Sequence, residues 1–502
     1  MNPRILLRTA VAGLLLSVLS GCMMGPDYKR PETTAPDTWH KTTAEIADTQ
    51  PAVLDKWWTV FNDEILTDLI QQAATNNLDL KAAFSRIDEA AAQKGIAKGD
   101  YFPSINGTGS ATANRLNDIS GGATAEDRTP NLYSVGLDAS WELDFWGRIR
   151  RSVQSADASL QASVEDYRDT LIILYSEIAN SYLSIRELQM RIALAQGNVN
   201  SQKDTLKLTQ GRYDAGLVPE MDVHQSNLNL SRTESSVPTM RQQLAAALNR
   251  LAVLTGRTPD EIQTQVGHRD KVPHPDIDIL EGLPADLLRQ RPDVRRAEQQ
   301  LIAQTAQIGV AKADLLPRIS LSGSFALEAN ESGDLGKSGS QSYSFGPAFS
   351  WALFQGGRIR SNIRAEEART DQAVFQYQQA VLMALEDVEN AFISCRQEQD
   401  RLAFIQQSVD SARKSVSQVN TLYENGLVTF LNVLDAERTL AEQEDSLAQS
   451  NGLLSRNIVS VYRSLGGGWK LPDPSPKPEP APVEPPKEEG EIDEATKAPA
   501  KS

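Results

Sequence analysis

From Tyr133 to Phe145 the chain alternates strictly. Tyr133, Val135, Leu137, Ala139, Trp141, Leu143 and Phe145 fall on one side, and Ser134, Gly136, Asp138, Ser140, Glu142 and Asp144 on the other. A period of two over this length predicts a β-strand. The alternation returns at Tyr343, Phe345, Pro347, Phe349, Trp351 and Leu353 against Ser344, Gly346, Ala348 and Ser350, and in the small-residue runs that start at Ile105 and Ile319. Directly after each aromatic strand the rhythm changes. Gly147 to Asp214 contains no Pro, and Leu171, Leu174, Ile178, Tyr182, Ile185, Leu188, Ile192, Ala195 and Val199 step by threes and fours, the seam of a coiled coil. A helix of that length spans roughly 100 Å at about 1.5 Å per residue. A return leg runs to about Thr255, and a further piece is expected from about Pro284 to Leu316. The second set reads Gly357 to Glu424 outward and Val428 to about Leu465 back, with Asn62 to about Phe102 as the remaining piece. The expected fold is mixed α and β: strand hairpins over 104–145 and 318–355, and two very tall helical rods.

The two sets are copies. SWELDFWGRIR, starting at Ser140, matches SWALFQGGRIR from Ser350, so Trp141 and Trp351 lie 210 residues apart (351 less 141). RYDAGLVPEMDV from Arg212 matches LYENGLVTFLNV from Leu422 at the same offset, and KGDYFPSINGTGS from Lys98 matches KADLLPRISLSGS from Lys312 at 214. Such an offset marks duplication of a whole architecture rather than a solenoid unit. Repeat one is placed at 62–257, a linker at 258–283 and repeat two at 284–468.

Strands of this length, with the aromatics Tyr133 and Trp141, and Tyr343 and Trp351, near the ends of the apolar face, fit a membrane β-barrel better than a soluble sandwich. Four strands cannot close in lipid, where each unpaired backbone group costs several kcal/mol, so several chains must share one barrel. Its inward face, rich in Ser and Thr, suits a water-filled lumen.

Charge and termini sharpen this picture. Residues 1–21 carry Arg4 and Arg8, then an apolar run, then Leu19-Ser20-Gly21 before Cys22, which reads as a secretory signal. The net charge of −16 becomes −18 without those two arginines and argues against nucleic acid. Cys395 is the second of two cysteines, so no disulfide is expected within the mature chain. Residues 22–61 are expected to run extended along another surface. The Pro- and Glu-rich residues 469–502 are expected to be disordered. His40, His224, His268 and His274 show no ligand spacing, and no catalytic constellation stands out, so neither a metal site nor an enzyme is expected. Gly336-Lys337-Ser338 lacks the upstream Gly of a phosphate loop.

Several motifs now combine: Cys22 in a lipobox-like setting, GPDYKRPE after it, Trp57-Trp58, RPDVRRAE from Arg291, the paired Gly-Arg-Ile-Arg and the two Gly-Leu-Val turns. Together they resemble the TolC-like outer-membrane efflux proteins, in particular the NodT/OprM-type lipoprotein branch that serves RND tripartite pumps. The resemblance implies a lipid on Cys22 and no other cofactor, and a location in the bacterial outer membrane, reaching into the periplasm. It also implies a homotrimer with a 12-stranded barrel continuous with a coiled-coil helical tunnel. Its partners would be a periplasmic adaptor and an inner-membrane transporter. Leu431, Asp435, Arg438 and Tyr213 correspond to the family's periplasmic gate, and Gly216, Leu217, Val218, Gly426, Leu427 and Val428 to its adaptor-contact turns. The function expected is a passive, gated efflux duct for small molecules such as drugs. A duct for type I-like protein secretion and a non-conducting envelope scaffold are the alternatives.

Overall fold

The computed structural model describes residues 23–32, 55–113, 131–269, 271–275 and 289–469. Cys22, the signal segment, residues 33–54 and residues 470–502 lie outside the described residues. In chain order the elements are α1 (Glu64–Asn76), α2 (Leu78–Gly99), β1 (Ser104–Ala113), β2 (Asn131–Leu143), α3 (Arg148–Asp214), α4 (Glu220–Thr255), α5 (Pro259–Val266), α6 (Pro292–Ala313), β3 (Arg318–Ala329), β4 (Gln341–Ser350), α7 (Arg358–Glu424) and α8 (Phe430–Ser464). The rods α3 and α7 are each 67 residues long. All nine residues of the expected seam in α3 are buried. Among the described residues no helix is long and apolar enough to cross a membrane.

Two expected pieces differ from what is found. The run from Asn62 to Phe102 is not one helix, because Asn77 breaks it with ψ 131°. The Asn77 side chain accepts from Leu80 N at 2.8 Å, capping α2, and donates to Leu254 O at 2.9 Å. Of the helix expected from about Pro284, residues 284–288 lie outside the described residues; beyond them Arg291 is extended and α6 starts at Pro292, where a proline at the first position loses no hydrogen bond. The correction restores the internal symmetry. Helices α2 and α6 have 22 residues each, displaced by the same 214 positions as the sequence match.

The four strands form one antiparallel sheet in the order β1-β2-β3-β4. Its register sorts side chains by polarity. Leu137 sits between Gly107 and Phe325, Val135 between Gly109 and Leu327, and Ala139 between Ile105 and Gly323. One residue along, on the other face, lies the row Asn106, Asp138, Ser324 and Ser344. On that face Thr108 donates to Asp138 Oδ2 at 3.2 Å, and the Ser324 and Ser344 hydroxyls are 2.9 Å apart. Strands β1 and β4 are left as open edges.

The core lies at the waist of the helices. Trp57 is fully buried and stacks on Tyr462 at 5.7 Å and 13°, while Trp58 meets Tyr175 edge-on at 5.1 Å. These rings fill the space between α3 and α8, joined by Leu66, Leu69 and Ile70 of α1. Cys395 of α7 belongs to the same cluster, and burial pushes its thiol up to about 11, so it packs as an inert apolar group. A polar network closes one side. Asp63 caps α1 and accepts the Tyr182 hydroxyl at 2.6 Å. Buried Arg186 then donates to Tyr182 and to the carbonyl of Val266 at the end of α5.

The motif residues prove to be fasteners. Residues 23–32 cross α6 where Gly25 meets Gly309, so closely that a Cβ on either would lie 2.5–2.6 Å from backbone atoms. Arg151 holds this strap through Met24 O at 3.0 Å and Asp27 at 2.9 Å. Tyr28 and Arg30 both bind Glu298. The remaining charges of Arg291 to Glu298 tie α6 sideways: Arg291 to Asp387 of α7 and Ser464 O of α8, Arg295 to Glu165 and Arg296 to Asp166 of α3. Because Trp57 has no exposed surface, Trp57→Ala is expected to cost ~3–5 kcal/mol. Thermal unfolding of the purified protein should show this as a clear drop in midpoint, and an unchanged midpoint would contradict the assignment of the core.

Candidate functional site

Two regions carry the features of a conduit, the sheet wall and the far tips of the rods. At the helix end of the sheet the Trp141 indole donates to Tyr101 O at 2.9 Å, and in the second copy Trp351 donates to Leu315 O at 3.0 Å. Tyr133 and Tyr343 stand eight residues nearer the opposite end of each strand. That is about 26 Å along the strand, close to the height of an outer-membrane apolar band. Phe345 and Leu137 lie between these levels and are exposed, as are most apolar side chains on that face of the isolated chain.

Below the tryptophans the two Gly-Arg-Ile-Arg runs start α3 and α7, but they are held differently. Arg148 forms a two-pronged pair with Glu142 at 2.8 and 2.9 Å. Asp144 accepts from the backbone N–H of Ile149 and Arg150, satisfying the open end of α3. The second copy has Ala352 and Phe354 at those places, and among the described residues Arg358 binds only its neighbour Gln355.

At the far tips both rods stop as expected. Gly216 (φ 74°) and Gly426 (φ 72°) take the left-handed conformation, with Leu217 N bonded to Arg212 O and Leu427 N to Leu422 O, each at 2.9 Å. Leu217 and Leu427 are exposed, but Val218 and Val428 are half-buried. Val428 packs against the cluster of Tyr423, Phe430 and Val433. Of the four apolar turn residues the leucines are thus the more exposed, and Val428 leans on the cluster behind its turn.

Leu431, Asp435 and Arg438 form one exposed stripe on α8. Asp435 and Arg438 do not pair with each other; the acid near Arg438 is Glu442 at 4.0 Å, and Asp435 makes no ion pair among the described residues. Tyr213, at the end of α3, is 38% exposed. Sequence reasoning missed its repeat counterpart Tyr423, which is buried. Arg212 lies over the Tyr423 ring at 4.8 Å and donates to the carbonyls of Tyr423 and Glu424 at 3.0 Å each, tying the end of α3 to the end of α7. The available signal was the aligned pair Glu220 and Phe430. Tyr423 has Phe430 to pack on at 5.8 Å, whereas in the first copy the position of Phe430 is taken by Glu220, which offers Tyr213 no ring.

The model of the family described as outer membrane efflux protein matches residues 69–257 and 283–467. The chain belongs to that family. Nodulation protein T of Rhizobium leguminosarum bv. trifolii is 32% identical over 454 residues, which are 90% of this chain and 96% of that protein. The pyoverdine export outer membrane protein OpmQ of Pseudomonas aeruginosa is 31% identical over 465 residues, 91% of this chain and 97% of that protein. The solved outer-membrane channel OprN aligns with a TM-score of 0.83 at 36% identity, covering 89% of this chain and 100% of OprN. The outer membrane efflux proteins are transport ducts rather than enzymes, and the sheet and rods described above are the parts of such a duct.

Two outcomes are expected. Cysteines introduced at Asp138 and Val135 should differ in reconstituted protein: the first reacts with a water-soluble maleimide, and the second only with a lipid-soluble one. Arg212→Ala, which removes the tie to α7, should raise single-channel conductance in planar bilayers severalfold, and an unaltered trace would show that the contact does not restrain the tips.

Proposed function

We propose that this chain is the exit duct of a tripartite efflux system, carrying small molecules such as drugs or other toxic compounds across periplasm and outer membrane. The observation that carries this reading is the register of the sheet, which puts apolar side chains on one face and Ser, Thr, Asn and Asp on the other, with both edges unpaired among the described residues. Three copies of the four-stranded sheet supply 12 strands, enough to close a barrel around a wet lumen. The rods, at roughly 100 Å, continue that lumen through the periplasm. Cys22 bears the lipid that tethers each subunit to the inner leaflet. Energy enters through the partners, an inner-membrane RND-type transporter and a periplasmic adaptor that meets Leu217 and Leu427 at the turns. OpmQ is named for pyoverdine export, and a shared duct with a different cargo places selection mainly in the pump.

Leu431, Asp435 and Arg438 narrow the inner end, with Tyr213 beside them. Leu431, Asp435 and Arg438 are exposed in the single chain, which fits side chains that meet their counterparts around a symmetry axis. Three Asp435 carboxylates on such an axis also favour cations. The test is conductance of the purified protein in planar bilayers. Small cation-selective currents that rise severalfold in Asp435→Ala and Arg438→Ala support the reading; absence of any current would leave an envelope scaffold instead.

A further inference from the structure

The face of α8 opposite the exposed stripe carries a carboxylate that the conduit so far leaves without a task. Glu437 is 8% exposed. Its Oε1 accepts the Thr205 hydroxyl of α3 at 2.6 Å, and its Oε2 accepts from the Asn229 amide of α4 at 3.4 Å. Both partners are neutral. Beside them Gln202 is buried, its Oε1 without a partner among the described residues. The charges on the surrounding elements are engaged with other groups or stand in solvent. On α3, Lys203 pairs with Glu234 at 3.0 Å and Arg191 with Asp445 at 2.7 Å, while Asp204 and Lys207 are exposed. On α7, Arg413 pairs with Glu444 at 2.9 Å. Arg232 of α4 and Arg438 of α8 line an open groove nearby. Packing alone asks for an apolar residue here, as at Val433 one turn earlier. A carboxylate with two neutral donors is stable when protonated and costly when ionised.

We propose that Glu437 is a positioning residue for the gate, docking the helix that carries Leu431, Asp435 and Arg438 onto the first helical hairpin through Thr205 and Asn229. Its proton is the variable that sets how firmly the helix is held. The inference rests on reading that stripe as the gate. Burial raises the Glu437 carboxyl above the ordinary range, and the bonds from Thr205 and Asn229 oppose this more weakly. The docked helix therefore binds the proton more tightly than a released one. Docking is fully stabilised below the ordinary carboxylate value, and that stabilisation is lost as pH rises through the raised value. Acid seats the gate; a rise in pH loosens it.

The experiment is planar-bilayer conductance of the full-length protein across a pH series. Open probability of the wild-type channel should climb with pH, the docked-to-released ratio falling by up to about tenfold per pH unit within the window between the two values. Glu437→Gln, a neutral isostere, should give a flat profile at the low-conductance level. Glu437→Ala should conduct more at every pH, and Thr205→Val, which removes a donor to the ionised form, should conduct at least as much as the wild type at every pH and keep climbing to higher pH. Heat stability of the assembled Glu437→Gln protein checks folding. A flat wild-type profile, or a Glu437→Gln profile that follows the wild type, overturns the proposal. If that happens while Asp435→Ala still raises conductance, the gate stands and only the role of Glu437 falls. If Asp435→Ala changes nothing, the gate reading itself fails.

Discussion

A β-strand in hydrocarbon has nowhere to place an unpaired backbone N–H, and this governs the rest of the molecule. The sheet of one chain ends at β1 on one side and β4 on the other, and neither edge finds a partner among the described residues. The isolated subunit is thus half of an unmade bond on two sides, and its apolar sheet face has no core to enter. Assembly supplies both needs at once, because closing the sheet pairs the edges and leaves the apolar face to lipid. The lumen is a by-product of that closure.

Beneath the sheet, the fold is organised around holding very long helices in fixed relation. Coiled-coil seams do this along the rods, but seams allow sliding. The fasteners at the waist remove that freedom: Trp57 and Trp58 wedge between α3 and α8, Arg291 bridges α7 and α8, and the strap at 23–32 lies across α6 at the Gly25–Gly309 crossing. Trp57, Trp58 and the charged run from Arg291, all easily noticed in the sequence, lie in this belt and not at the tips of the rods.

Period and punctuation carried much of the fold. The seam in α3 and the starts of α3 and α7 could be read from spacing, since both depend on residues close along the chain. Asn77 escaped notice because a capping asparagine amid helix formers is identifiable only from its bond to Leu254 O, far away in sequence. The pattern Gly-Leu-Val does not separate the leucine from the valine, because it does not show that Phe430 and Val433 wait behind Val428. At the tips the sequence pointed to the exposed stripe on α8 and passed over Tyr423 and Glu437. Their significance lies in what they touch on α3 and α4, some two hundred residues earlier.

The unequal feet of the two repeats have a mechanical consequence. Where α3 meets its strand, Glu142 and Asp144 lock Arg148 and Arg150 into a braced joint; where α7 meets its strand, Ala352 and Phe354 replace those acids and Arg358 bonds to Gln355. Every subunit then stands on one stiff ankle and one compliant one, alternating around the ring. Any swing of the tunnel relative to the barrel would be borne by the second set, leaving the first as fixed pillars.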